Sequence, residues 1–558
     1  VLALADRAAL RGDADAALGH LLRLPEHLPP AETEAFLAGA PYRQRRAYVD
    51  AMPRPRPAGW PTTGGDSTRA RNGDPLPEKL VRLWETPFLE DVPAAFRPPF
   101  LGAASERARS PELSFAAVAD ARTLYVPLGP CVAAIERESG KLAWFAPEGS
   151  FPDYDQVDAM VDRNPGQRGA TVHDGVLYFP RVLFAGDEPM RRGALVAFDT
   201  ERRRTLWQAP QPGTNHALWN RPVFFRGAPA VADGRVYAYA AVREDGEDGP
   251  TRKEEAYVVC LDAADGGLLW QRFLGYATTP ASRHFPPLSG LAPALSGGVV
   301  VAVTGVGVAA SLDARTGDVL WLFRYDRSRM PERERLAEDI DERTVHLEEG
   351  WKREPPRIVG DTAYFAPFDS DEAFACWLRG ARGRDGETYV EQWAKPRDRG
   401  HGRHSGLEYM AGFAHGRVYY VGRRDPREEF AASYKPVISH PMDRTDGWSC
   451  GLVPASLRDG DTGLMVPPEP FGRPILAGDV LLLPTRETLF RFDVSRGPVE
   501  RLVEGELRRE IPYLPPFPAA PEPAAEDEER PPAFGNLLAI DGRLYAVTGD
   551  RVVCYGAE

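Results

Sequence analysis

Short apolar runs separated by tight polar turns recur along this chain, and the turns are alike. Asp174-Gly175 is followed by Val176 to Tyr178, Asp233-Gly234 by Arg235 to Tyr237, and Asp541-Gly542 by Arg543 to Tyr545. Variants of the same turn stand at Asp120-Ala121, Gly297-Gly298, Gly360-Asp361, His415-Gly416 and Gly478-Asp479. Asp-Gly between two apolar runs predicts a two-residue hairpin, because the glycine accepts a positive φ without a steric cost. Eight such hairpins, spaced by roughly 50 to 70 residues, predict an architecture assembled blade by blade.

A second half-motif recurs at five places along the chain. Asp262, Gly266 and Trp270 share their spacing with Asp313, Gly317 and Trp321 and with Glu136, Gly140 and Trp144. Asp199 and Trp207 keep it without the glycine, and Asp493 and Gly497 keep the turn without the tryptophan. The carboxylate can accept from free turn N–H groups, the glycine suits a left-handed position, and the tryptophan offers a large face to a neighbouring blade. The stretches Cys260–Trp270 and Ser311–Trp321 resemble the repeat of quinoprotein-like propellers. That group includes alcohol dehydrogenases using pyrroloquinoline quinone and the scaffold lipoprotein of bacterial outer-membrane assembly. Trp60 to Asp66, followed by Leu80 to Trp84, is similar to the lead-in before the first blade of such proteins. The resemblance covers about residues 60–558 and speaks for fold rather than chemistry, since enzymes and non-enzymes share the repeat.

The expected fold is therefore mainly β: an eight-bladed propeller over 78–558, preceded by a helical segment over 1–51 and a Pro-, Gly- and Arg-rich linker over 52–77. The helical period of Leu4, Ala8, Leu10, Ala16, Leu18, Leu21 and Leu22 resembles a tetratricopeptide unit. The blades are expected at 112–144, 169–207, 227–270, 291–321, 356–394, 410–466, 471–502 and 533–558. The last lacks a fourth strand, and Lys79 to Glu85 is the candidate to supply it, with Trp84 in the repeat's tryptophan position. Closure of this kind would remove exposed sheet edges.

Composition narrows the partners. A formal charge of −13 over 558 residues argues against nucleic acid, which demands a clustered positive field. No apolar run is long enough to span a membrane. The first residue is Val1, so the expectation is that the natural start lies upstream. Five cysteines, Cys131, Cys260, Cys376, Cys450 and Cys554, show no metal-ligand spacing, and three of them fall at similar places in the repeat. Adjacent cysteines, common beside the cofactor in the quinone-dependent alcohol dehydrogenases, are absent.

Long insertions are expected on one face of the ring, where second strands connect to third and blade to blade. His216, Trp219, His284, His346, Trp351, His401, His404, His440 and Trp448 lie in them and form the candidate binding face. His401, His404 and Glu408 would hold a metal only by converging, and Phe368 to Glu372 lacks the spacing of a calcium loop. Glu332 to Glu349 reads as a short exposed helix, Arg43 to Arg56 as a solvated basic run, and Tyr513 to Pro532 as an acidic, Pro-rich excursion that resists packing. The expected function is a non-catalytic scaffold that binds protein partners in the bacterial cell envelope, outside the cytoplasm, with no cofactor. The alternatives are a dehydrogenase carrying pyrroloquinoline quinone with calcium, and a carbohydrate-binding propeller.

Overall fold

The computed structural model describes residues 59–88, 116–146, 169–280, 292–325, 355–379, 390–394, 407–422, 437–451, 472–518 and 534–557, apart from short gaps within several of these stretches. The expected helical segment, the basic run and the 332–349 stretch lie outside them. The described strands form eight sheets. Seven have four strands and the eighth has six. Numbered along the chain, blade 1 spans Val118–Ala119 to Leu142–Ala146, blade 2 Thr171–His173 to Arg204–Ala209, and blade 3 Val223–Ala232 to Leu268–Pro280. Blade 4 spans Ala294–Ser296 to Val319–Arg324, and blade 5 Arg357–Val359 to Val390–Ala394. Blade 6 begins at Leu407–Ala414, blade 7 at Ile475–Ala477 and blade 8 at Asn536–Ile540.

The repeat turns do what their composition requires. Asp174, Asp233, His415 and Asp541 take φ near +50°, and the glycine after each is also positive, so both central residues are left-handed. Asp120 solves the same problem differently. Its carboxylate accepts from the N–H groups of Arg122 and Thr123, each at 2.7 Å, and from the Tyr125 hydroxyl at 2.7 Å.

The Asp-Gly-Trp half-motif clasps one blade to the next. The indole N–H donates to a carbonyl on the following blade: Trp84 to Arg137, Trp207 to Ala263, Trp270 to Ala314 and Trp321 to Trp377, at 2.8–3.2 Å. The Trp207 ring lies where a Cβ on Gly266 would come within 2.6 Å, and Trp84 stands the same way over Gly140. Glycine is thus required twice, for its φ and for the close approach of the ring.

The ring closes through the chain's own ends. Val81–Pro87 pairs antiparallel with Arg551–Gly556, setting Trp84 opposite Cys554 and Arg82 opposite Tyr555. Blade 8 then meets blade 1 through the Arg137–Asp541 ion pair at 2.7 Å and the Trp84 clasp. This is the expected fourth strand.

Two expectations change. Val499–Val503 is not the outer strand of blade 7: it forms a hairpin with Glu506–Ile511, which joins blade 6 in parallel, Cys450 opposite Glu510. The chain then returns, and Tyr513–Pro518 becomes the fourth strand of blade 7. The prolines, expected to resist packing, are tolerated because an edge strand need not donate on its outer side. Stretches expected as insertions around blade 3 are also strand where they are described, since the blade extends over Arg235–Asp245, Thr251–Asp262 and Leu268–Pro280. Among the described residues no helix is long and apolar enough to cross a membrane.

Candidate functional site

The segment expected to be a linker fills the axis of the ring. Trp60 pairs with Ala119 of blade 1, and Thr62 with Thr171 of blade 2. The chain then folds back on itself, with Gly65 N–H donating to Thr62 O at 2.8 Å and Arg71 N–H to Gly64 O at 3.1 Å. Leu295 N–H of blade 4 donates to Ser67 O at 2.8 Å. On the way out, Asn72 Nδ2 donates to Phe413 O of blade 6, Gly73 N–H to Leu476 O of blade 7, and Asp74 N–H to Ala539 O of blade 8. The hairpin of residues 59–74 is a plug, tied to the innermost strands around the channel.

Arg69 pins its tip. The side chain is fully buried and donates to Pro293 O at 3.1 Å, Ala228 O at 2.9 Å, Pro229 O at 3.0 Å and the Thr62 hydroxyl. Burial pulls its pKa down to about 9, opposed by Asp66. Its backbone stands at φ +62°, a cost that the four side-chain bonds hold in place. These carbonyls come from the middle of the inner strand of blade 3, Val223–Ala232, and from the residue just before the inner strand of blade 4, Ala294–Ser296.

A cavity of about 40 Å³ remains beside the plug, lined among others by Trp60, Arg71, Arg357, Tyr409, Arg473 and Asn536. Arg357 of blade 5 donates to Met410 O and lies over the Tyr409 ring of blade 6, with Cζ 5.5 Å from its centroid. Arg71 lies over the Trp60 ring at 5.3 Å and donates to Gly59 O at 2.6 Å. Asn536 Oδ1 accepts from Arg473 N–H at 2.9 Å, joining blades 7 and 8.

The structure places two of the nine candidate side chains, and neither lines this cavity. Trp219 is buried, 6.0 Å from the Phe225 ring, in the apolar wall between blades 2 and 3. His216 lies beside it at 6.0 Å, its Nδ1 accepting from Leu218 N–H. These two anchor a loop. His440 lies on the strand Val437–Pro441, opposite Val418. His284, His346, Trp351, His401, His404 and Trp448 lie outside the described residues, as does most of Phe368 to Glu372. Among the described residues no cluster of three or more His, Cys, Asp or Glu is arranged to hold a metal ion. Cys131, Cys260, Cys376 and Cys554 are buried free thiols, and burial pushes those of Cys131, Cys260 and Cys554 up to about 12. The arginines of the channel were missed because their partners are backbone carbonyls remote in sequence; the glycines at 59, 64, 65 and 73 were the available signal.

The family model described as outer membrane protein assembly factor BamB matches residues 131–321, which span blades 1 to 4. The fold is a β-propeller. No curated protein matches the sequence. Among solved structures, BamB from Moraxella catarrhalis is 13% identical, covering 86% of this chain and 100% of that chain, with a TM-score of 0.42. The quinohemoprotein alcohol dehydrogenase from Comamonas testosteroni is 14% identical, covering 90% and 82%, with a TM-score of 0.48. A europium-containing methanol dehydrogenase is 11% identical, covering 90% and 98%, with a TM-score of 0.48.

Proposed function

We propose that this propeller is a non-catalytic scaffold that holds protein partners in the bacterial cell envelope. The observation that carries the reading is the plug: the channel of the ring is filled by residues 59–74 and sealed at its tip by Arg69. What the chain offers to others is then its rim and its decorated face. The match of blades 1 to 4 to an outer-membrane assembly factor supports the compartment and the kind of work.

The quinone alternative fits these residues poorly. The space left at the channel end holds about three waters, far less than a cofactor of several fused rings. Among the described residues its lining supplies Asn536 but no Glu or Asp with which to share a calcium ion. Affinity capture with tagged, full-length chain from the source organism's envelope fraction tests the proposal. A stoichiometric protein partner that survives washing is the expected result. Retention of pyrroloquinoline quinone with calcium, together with dye-linked alcohol oxidation by the purified chain, would overturn it.

A further inference from the structure

Blade 3 ends in an outer strand unlike those of its neighbours. Leu268–Pro280 is 13 residues long, against 6 for Arg204–Ala209 of blade 2 and 6 for Val319–Arg324 of blade 4. It runs well past the Trp270 clasp because Arg235–Asp245 and Thr251–Asp262 extend with it, the last pair setting Thr251 opposite Pro280. The sheet order places it at the edge of the blade, and among the described residues no strand pairs with its outer side. A row of backbone N–H and C=O groups therefore faces outward along it.

The register fixes which side chains that edge presents. Gln271 stands opposite Val259, Phe273 opposite Tyr257 and Tyr276 opposite Glu255, so the three share the face toward blade 2. A bulge at Leu274 absorbs the odd residue and keeps Tyr276 on that face, while Leu274 itself is buried in the wall toward blade 4. Phe273 is 47% exposed, 5.3 Å from the Tyr257 ring, and Tyr276 is 61% exposed, with Lys253 Nζ 5.0 Å from its centroid. Edge strands are ordinarily guarded by charged side chains or prolines. Arg82 and Glu85 stand in Val81–Pro87, and Arg204 in Arg204–Ala209. Leu268–Pro280 carries a single charge, Arg272, turned toward blade 4, where Nε donates to Gly317 O at 2.7 Å and Nη2 lies 3.5 Å from Asp318. Its one proline only closes the strand, at Pro280.

We propose that a second copy of the chain docks on this edge, the two Leu268–Pro280 strands pairing antiparallel about a two-fold axis. An antiparallel pair of identical edges is self-complementary: outward N–H groups of one copy meet carbonyls of the other, and the same patch serves both sides. The charge pattern favours this occupant. Each chain carries a formal −13, yet the two edges meet without opposing like charges, because Arg272 is held against blade 4. Phe273 and Tyr276 of each copy then cover the seam on one face, an aromatic pairing of the kind that stabilises adjacent strands. The contact is small for a protein interface, so a dissociation constant of roughly 1–10 µM is expected. The inference does not rest on the scaffold reading, since two copies can pair whatever else the ring holds.

Sedimentation velocity of the full chain, from about 0.5 to about 100 µM, tests this over a range that brackets the expected constant. A monomer–dimer equilibrium is the expected result, and added salt tightens it by screening the repulsion between two acidic chains. F273K and Y276E each set like charges against each other across the two-fold axis and weaken the dimer by roughly tenfold or more. L206K, at an exposed position on the outer strand of blade 2, leaves it unchanged. Hydrogen exchange at the two ends of the concentration range locates the contact, with the amides of 268–280 slowing in the dimer. Should F273K melt early, Y276E, at the more exposed position, decides. A chain that stays monomeric throughout the range overturns the proposal, as does a dimer that both substitutions leave intact or one protected elsewhere. Protection of 268–280 that appears only on adding envelope extract gives the edge to another protein and overturns it as well.

Discussion

Arg203 shows how closely the repeat constrains single positions. Asp199 and Trp207 hold the spacing of the clasp, yet the place of its glycine belongs to an arginine, which takes φ +54° and is exposed. A side chain in that region costs about 1 kcal/mol. Arg203→Gly is therefore expected to raise the unfolding free energy by about 0.5–1 kcal/mol, read by denaturant melts. Glu255 sets a pH dependence. Burial pushes its pKa up, but bonds from Arg221 at 2.8 Å, Lys253 at 2.7 Å and the Tyr257 hydroxyl at 2.8 Å outweigh that, holding it at about 2 against an ordinary 4.5. A carboxyl depressed on folding contributes stability that is present above the unfolded value and is lost as pH falls toward the folded one. The midpoint of unfolding should fall between pH 5 and 2, and Glu255→Gln should lower stability at pH 7 while flattening that decline.

Among the elements, hairpins and clasps were legible in the sequence because both rest on local requirements. A turn with two positive φ values selects Asp-Gly, and a ring packed on a backbone selects glycine. The strap of Val499–Val503 and Glu506–Ile511 was not legible, since its parallel pairing with Ser449–Gly451 leaves no short-range signature. Prolines disguised Tyr513–Pro518, where an edge position removes their usual penalty. The closing strand was legible from the missing fourth strand of the last blade and from Trp84 in the repeat's tryptophan position. Deleting 78–88 uncovers the edge of Arg551–Gly556 and removes the Trp84 clasp and the Arg551–Glu85 ion pair at 2.6 Å. Thermal unfolding of that variant should drop by about 3 °C or more, as expected for roughly 3 kcal/mol or more of lost burial and pairing in a chain of this length. An unchanged midpoint would mean that the seam is closed otherwise.

For the whole molecule, the plug changes what the ring is. Its composition, rich in glycine, arginine and small polar residues, reads as a tether because nothing in it is periodic. What orders it is hydrogen bonding to carbonyls supplied from all around the circle, a feature that no local pattern encodes. Of the nine candidate His and Trp positions, the two placed side chains, His216 and Trp219, pack together as a loop anchor. Arg69→Met should strip donors from Pro293 O, Ala228 O, Pro229 O and the Thr62 hydroxyl and cost about 3 kcal/mol or more. Limited proteolysis would then cut within 59–74 before any blade is cut.

Hydrogen exchange of the native chain measures that ordering directly. If residues 59–74 plug the channel, the amides of Trp60, Gly73 and Asp74 exchange as slowly as those of the inner strands they bond to. Exchange within seconds over the whole stretch, beside protected strands at Val299–Val303 and Arg543–Val547, would show an open channel and contradict the account.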